Sequence, residues 1–131
     1  MKVLVLIFAI AISFCLKANA EIINCESKLF GVVSYGNVNS SEDNNFFLKI
    51  KIDKYKKKIF FEEVFEDGKI SKEAPLFTDQ VWNITSASDD VNIRAYGSVL
   101  GEFLYSMNSK LLNVSFPLGD GSVGVTVSDC Y

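Results

Sequence analysis

The sequence predicts an all-β chain: a small antiparallel meander barrel, lipocalin-like in layout, closed by one disulfide. Three observations carry that expectation. Apolar residues alternate with polar ones at a period of two, turn signals recur every few residues, and one cysteine lies near each end of the chain that follows an apolar leader. A two-sheet β-sandwich is the alternative that the same spacing allows.

Residues 1–20 read as a secretory signal peptide. Met1-Lys2 makes a basic start, residues 3–16 are apolar apart from Ser13, and Ala18-Asn19-Ala20 supplies small residues for cleavage between Ala20 and Glu21. The apolar run falls short of the roughly 20 residues a membrane span needs, so no membrane anchor is expected. Residues 21–131 then form a single β domain, large enough to bury a core. The leader removes Lys2 and Lys17, so 11 basic residues face all 16 acidic ones and the processed chain carries −5. That balance argues against nucleic acid or an anionic membrane as partner. Cys15 leaves with the leader; acylation there would need a small preceding residue, and Phe14 stands in its place. Cys25 and Cys130 remain and are expected to pair in an oxidising compartment, periplasmic or external, with two free buried thiols as the alternative.

The elements follow in order. Residues 29–35 (LFGVVSY) read as a strand ending at Gly36. Residues 37–45 (NVNSSEDNN) are the most polar stretch and read as a loop. Residues 46–55 alternate, with Phe46, Leu48, Ile50 and Ile52 on one face and Lys49, Lys51 and Asp53 on the other. After a turn at 55–57, residues 58–66 (KIFFEEVFE) return as the next strand. Asp67-Gly68 signals a two-residue turn into a short strand at 69–72, ended by Ala74-Pro75. Residues 81–86, 91–96, 99–107, 110–116 and 122–129 complete about nine strands. Turns at 88–90, 97–98, 108–109 and 119–121 separate them. On the last strand Val123, Val125 and Val127 are assigned to the buried face. Cys25 falls just before the first strand and Cys130 just after the last, so a bridge would fasten the two edges that a barrel brings together.

The chemistry available is narrow. The chain has no histidine, which removes the commonest general base and metal ligand. With both cysteines in a bridge, no thiolate remains for catalysis, and no metal or cofactor is expected. Glu62-Glu63 and Asp89-Asp90 are adjacent in sequence, so on strands they point to opposite faces; Glu62 and Glu102 would have to meet in space to act as a pair. Glu42 and Asp43 head a run of oxygen donors without calcium-ligand spacing. Six lysines, Lys49 and Lys51 among them, gather on the 46–66 hairpin; they suit an acidic partner or keep an edge hairpin soluble. Arg94 and Tyr96 share one face. If that face lined the barrel interior, they would form a ligand site with Trp82 and Tyr105.

Phe47-Leu48-Lys49-Ile50-Lys51-Ile52-Asp53 with Lys57-Lys58-Ile59 resembles a hairpin of small secreted proteins found in Gram-negative bacteria. Ile84-Thr85 with Val91-Asn92-Ile93 resembles their middle hairpin, Leu104 to Leu111 the late one, and Asp129-Cys130 their closing cysteine. Asn108-Ser109 departs from that late hairpin, which carries arginine and glycine there. The resemblance implies a small disulfide-closed barrel in the periplasm. It implies no activity and transfers no functional residue.

The expectation is a monomeric, exported, non-enzymatic binding module for a protein or small ligand. One version is an inhibitor of a basic enzyme such as a lysozyme, since acidic loops suit a basic cleft. The alternatives are a carboxylate hydrolase of envelope glycans and a structural envelope component.

Overall fold

The computed structural model describes residues 20–34, 36–41, 46–86, 88–118 and 120–131. The signal peptide assigned to residues 1–20 lies outside them except for Ala20. Ten strands and one short helix make up the described chain: β1 (Ala20–Ser34), β2 (Asn37–Ser41), β3 (Phe46–Asp53), β4 (Lys58–Glu66), β5 (Lys69–Ile70), α1 (Ala74–Thr78), β6 (Trp82–Ile84), β7 (Asn92–Gly97), β8 (Glu102–Ser106), β9 (Leu111–Pro117) and β10 (Val123–Cys130).

Eight strands close into an antiparallel barrel in the order β1, β3, β4, β6, β7, β8, β9, β10, with β10 pairing back onto β1. Closure removes the open edges that a long sheet would present. β2 and β5 stand outside the ring, paired to β1 and β4. An eight-stranded barrel is just wide enough for side chains to fill, and this one is filled through its middle. Ile50, Ile52, Ile59, Leu112 and Val114 are fully buried there.

β3 carries its four predicted apolar residues inward, with Lys49 and Lys51 outward. The β3–β4 hairpin is not an edge: β3 pairs with β1 and β4 with β6. Asp53 departs from the predicted outer face. It is buried, and its Oδ1 accepts the Lys56 amide at 2.9 Å, fixing the turn that follows.

β1 is longer than predicted. It starts at Ala20, so Cys25 lies inside it, with Ile23, Cys25 and Ser27 facing in. Cys25 and Cys130 are register partners on β1 and β10 and form the disulfide. Asn24 and Tyr131 exchange two backbone hydrogen bonds beside it, at 3.1 and 2.8 Å. The bridge therefore spans a non-hydrogen-bonded position, where facing side chains stand closest. Beyond Ser27 the register slips by one at Lys28. This bulge exchanges the faces, so Phe30 turns inward while Leu29 and Val33 turn outward.

The polar stretch read as a loop is partly a strand. Residues 37–41 pair with residues 30–34 of β1, because backbone pairing there needs no apolar side chain. Residues 42–45 lie outside the described residues. The face assigned to β10 is also corrected. Gly124, Thr126, Ser128 and Cys130 point in, while Val123, Val125 and Val127 point out. An added Cβ at Gly124 would sit 2.8 Å from the Phe116 ring, so only glycine lets that ring lie across β10.

α1 was not legible as a helix. Pro75 sits in its first turn, where a missing amide hydrogen costs nothing. It packs on β4, beyond the two register pairs that β4 shares with β6. The predicted strand 99–107 begins only at Glu102, because residues 98–100 bend around Gln80, whose Oε1 accepts the Val99 and Leu100 amides at 3.2 and 3.0 Å.

Candidate functional site: a cavity at the helix end of the barrel

α1 lies over one end of the barrel and buries Phe77 there. The buried indole of Trp82 donates to the Phe77 carbonyl at 2.8 Å, which ties the last turn of the helix to β6. The Gln80 side-chain amide donates to the Leu76 carbonyl and anchors the helix exit to the β7–β8 loop. Ser71 holds the entry. Its hydroxyl donates to Glu66 Oε2 at 3.2 Å and accepts the Glu73 amide at 3.1 Å.

Beneath this helix is a cavity of about 340 Å³ lined by Phe30, Phe46, Phe77, Phe116, Leu118 and Thr126, with Glu66, Lys72 and Glu73 also contributing. Lys72 and Glu73 are exposed and Glu66 half-buried, which places them at the opening. The aromatic walls are two pairs. Phe30 and Phe46 stack with ring centroids 6.4 Å apart, and Phe77 meets Phe116 edge-on at 5.5 Å. The Thr126 and Ser128 hydroxyls are buried and have no hydrogen-bond partner among the described residues. Buried hydroxyls are normally satisfied, so such atoms need an explanation.

The residues singled out from the sequence do not assemble into one site. Arg94 and Tyr96 are exposed on the outer face of β7, whereas Trp82 and Tyr105 point into the core. Arg94, Tyr96, Glu102, Leu104 and Asn113 line a shallow outer groove of about 250 Å³. Burial and the nearby Glu21 carboxylate raise the Tyr105 phenol above its usual range. Ala20 and Glu21 open β1, exposed and opposite Asp53 and Ile52. Lys49 pairs with Glu63 at 3.3 Å, and Lys51 stands between Ile22 and Phe60 on the outer wall. Glu42 and Asp43 lie outside the described residues. Glu62 and Glu102 sit on β4 and β8 with β6 and β7 between them, so they do not converge. The opposite end of the barrel has a second cavity of about 340 Å³ between Lys54, Lys57 and the turn holding Asp89 and Asp90.

Asp89 Oδ1 accepts the Val91 and Asn92 amides at 2.8 and 2.6 Å, and these bonds hold its carboxyl below the usual range. Hydrogen bonds from the Ser122 hydroxyl and amide do the same for Asp120. Both carboxylates close turns. No group of three or more histidine, cysteine, aspartate or glutamate side chains among the described residues is placed to hold a metal ion. No helix among them is long and apolar enough to cross a membrane.

Sequence reasoning missed this cavity for two reasons. Thr126 looks solvent-facing when the valines of β10 are assumed to be core, and Phe30 looks half-exposed when the bulge at Lys28 is unseen. Comparison with protein-family models, curated proteins and solved structures yields no match to this chain.

Proposed function

We propose that the protein is an exported, non-enzymatic binding module whose ligand enters the cavity under α1. The disulfide fits an oxidising setting outside the cytoplasm, and the signal-peptide layout of residues 1–20 supports processing between Ala20 and Glu21. The observation that carries the binding reading is the cavity itself. Its walls are mostly apolar and aromatic, and one of its buried lining residues, Thr126, has a hydroxyl with no partner among the described residues. Concave, mostly apolar sites with few polar groups are where proteins hold small molecules.

The test uses the processed chain, residues 21–131, and N-phenyl-1-naphthylamine, a neutral probe that brightens in apolar surroundings. Saturable brightening at one probe per chain is expected. Absence of binding by the folded protein overturns the reading.

A hydrolase of envelope glycans has one observation in its favour: Glu66 and Glu73 share the opening of this cavity. It predicts that Glu66→Gln or Glu73→Gln abolishes turnover of a glycan substrate. The binding reading predicts no turnover by any form.

A further inference from the structure

We infer that the cavity under α1 selects a neutral aromatic molecule carrying a hydroxyl or carbonyl, with that group entering first and meeting Thr126. The inference rests on the binding reading above and adds the chemical class of the ligand.

Four observations point to it. Four phenylalanine rings line the cavity, Phe30 stacked with Phe46 and Phe77 edge-on to Phe116, and such a ring cluster is the surface an aromatic ligand packs against. Thr126 is 3 % exposed and lines the cavity, yet its hydroxyl has no partner among the described residues. A hydroxyl both donates and accepts, so it suits an alcohol or a carbonyl equally. The third observation is charge. Among the described lining residues no cation lies at depth; the one lysine among them, Lys72, stands at the opening with Glu66 and Glu73, a balance of −1 over these three. An anionic head would lose its water at Thr126 with no positive partner, and would be repelled on entry. The fourth is volume. About 340 Å³ equals roughly eleven water volumes. A bound water needs two to four polar partners, and among the described lining residues that are buried only Thr126 has a polar side chain. Ser128, two residues further along β10 and fully buried, extends the polar seam inward.

The experiment is displacement of N-phenyl-1-naphthylamine from the processed protein by three compounds of one shape: naphthalene, 2-naphthol and 2-naphthoate. We expect 2-naphthol to compete roughly tenfold better than naphthalene, the scale of one good buried hydrogen bond, and 2-naphthoate to compete worst. Thr126→Val, which keeps shape and loses the hydroxyl, should bring 2-naphthol and naphthalene to equal affinity while probe binding persists. Thr126→Ser should keep the preference and guards against a folding defect in the valine variant. If the probe binds but 2-naphthol has no advantage, or 2-naphthoate wins, the head-group inference fails and the binding reading stands. If the hydroxyl preference survives in Thr126→Val, the polar partner is not Thr126 and the inference fails. If the probe itself does not bind, both fail.

Discussion

Phe30 and Thr126 face each other across the seam between β1 and β10, and both line the cavity under α1. Their meeting depends on Lys28. Without the bulge at that residue, the alternation that puts Cys25 and Ser27 inside would turn Phe30 out. The strand pair that closes the barrel therefore also builds the wall of its cavity.

The disulfide is placed to hold that seam. It closes a separation of 105 residues between register partners. Loop-closure reasoning assigns such a bridge about 4–5 kcal/mol, and native bridges in small exported domains cost about 2–5 kcal/mol when removed. Cys25→Ala with Cys130→Ala should lower the urea-unfolding free energy of residues 21–131 by that amount. A loss below about 1 kcal/mol would mean that backbone pairing alone closes the barrel.

Two glycines on the same strand pair should respond oppositely to alanine. Gly124→Ala drives a methyl to 2.8 Å from the Phe116 ring and should destabilise by about 1–3 kcal/mol through overpacking. Among the described residues an added Cβ at Gly31 meets the Asn39 carbonyl at 3.7 Å, an ordinary contact, and Gly31→Ala should be neutral or stabilise by up to about 1 kcal/mol. Thermal melts of the two variants make the comparison. Equal losses would show that Phe116 does not lie across β10.

Trp82 should report on the helix. Trp82→Phe leaves the Phe77 carbonyl without its indole donor and should cost about 1–3 kcal/mol. Because Phe77 is part of the cavity wall, probe affinity should fall as well. Lost stability with unchanged probe affinity would separate α1 from the site.

Acid should weaken the fold through two turns. Asp89 and Asp120 have folded-state values below the ordinary 3.8. Their contribution is present above that value and disappears as pH falls through the lower folded-state value. Melting temperature should therefore drop below about pH 4. Asp89→Asn with Asp120→Asn should flatten that drop, while pH 6 to 8 stays level for both proteins. An unchanged acid slope in the double variant would contradict the assignment.

The meander was legible because β3 and β7 alternate cleanly and the turns between strands carry strong signals. β1 before Leu29 was not, since Ile22 and Ile23 are adjacent and Ser27 is a polar residue facing inward. β10 read with its faces reversed, because side-chain polarity alone favours valine inside. What decides its face is the space Phe116 takes from Gly124, together with Leu29 and Val33 standing beside the outer valines. Arg94 and Tyr96 were correctly placed on one face, but alternation cannot say which face of a closed sheet is the inner one. α1 is a single turn, too short for a helical period to register. The cavity depended on all three of these hidden features.

The most direct measurement is a nuclear magnetic resonance titration of residues 21–131 with 2-naphthol. Shift changes are expected to concentrate at Phe30, Phe46, Phe77, Phe116, Leu118 and Thr126, with contacts from ligand protons to the Thr126 methyl. Changes confined to Arg94, Tyr96 and the outer wall, or none at all, would contradict it.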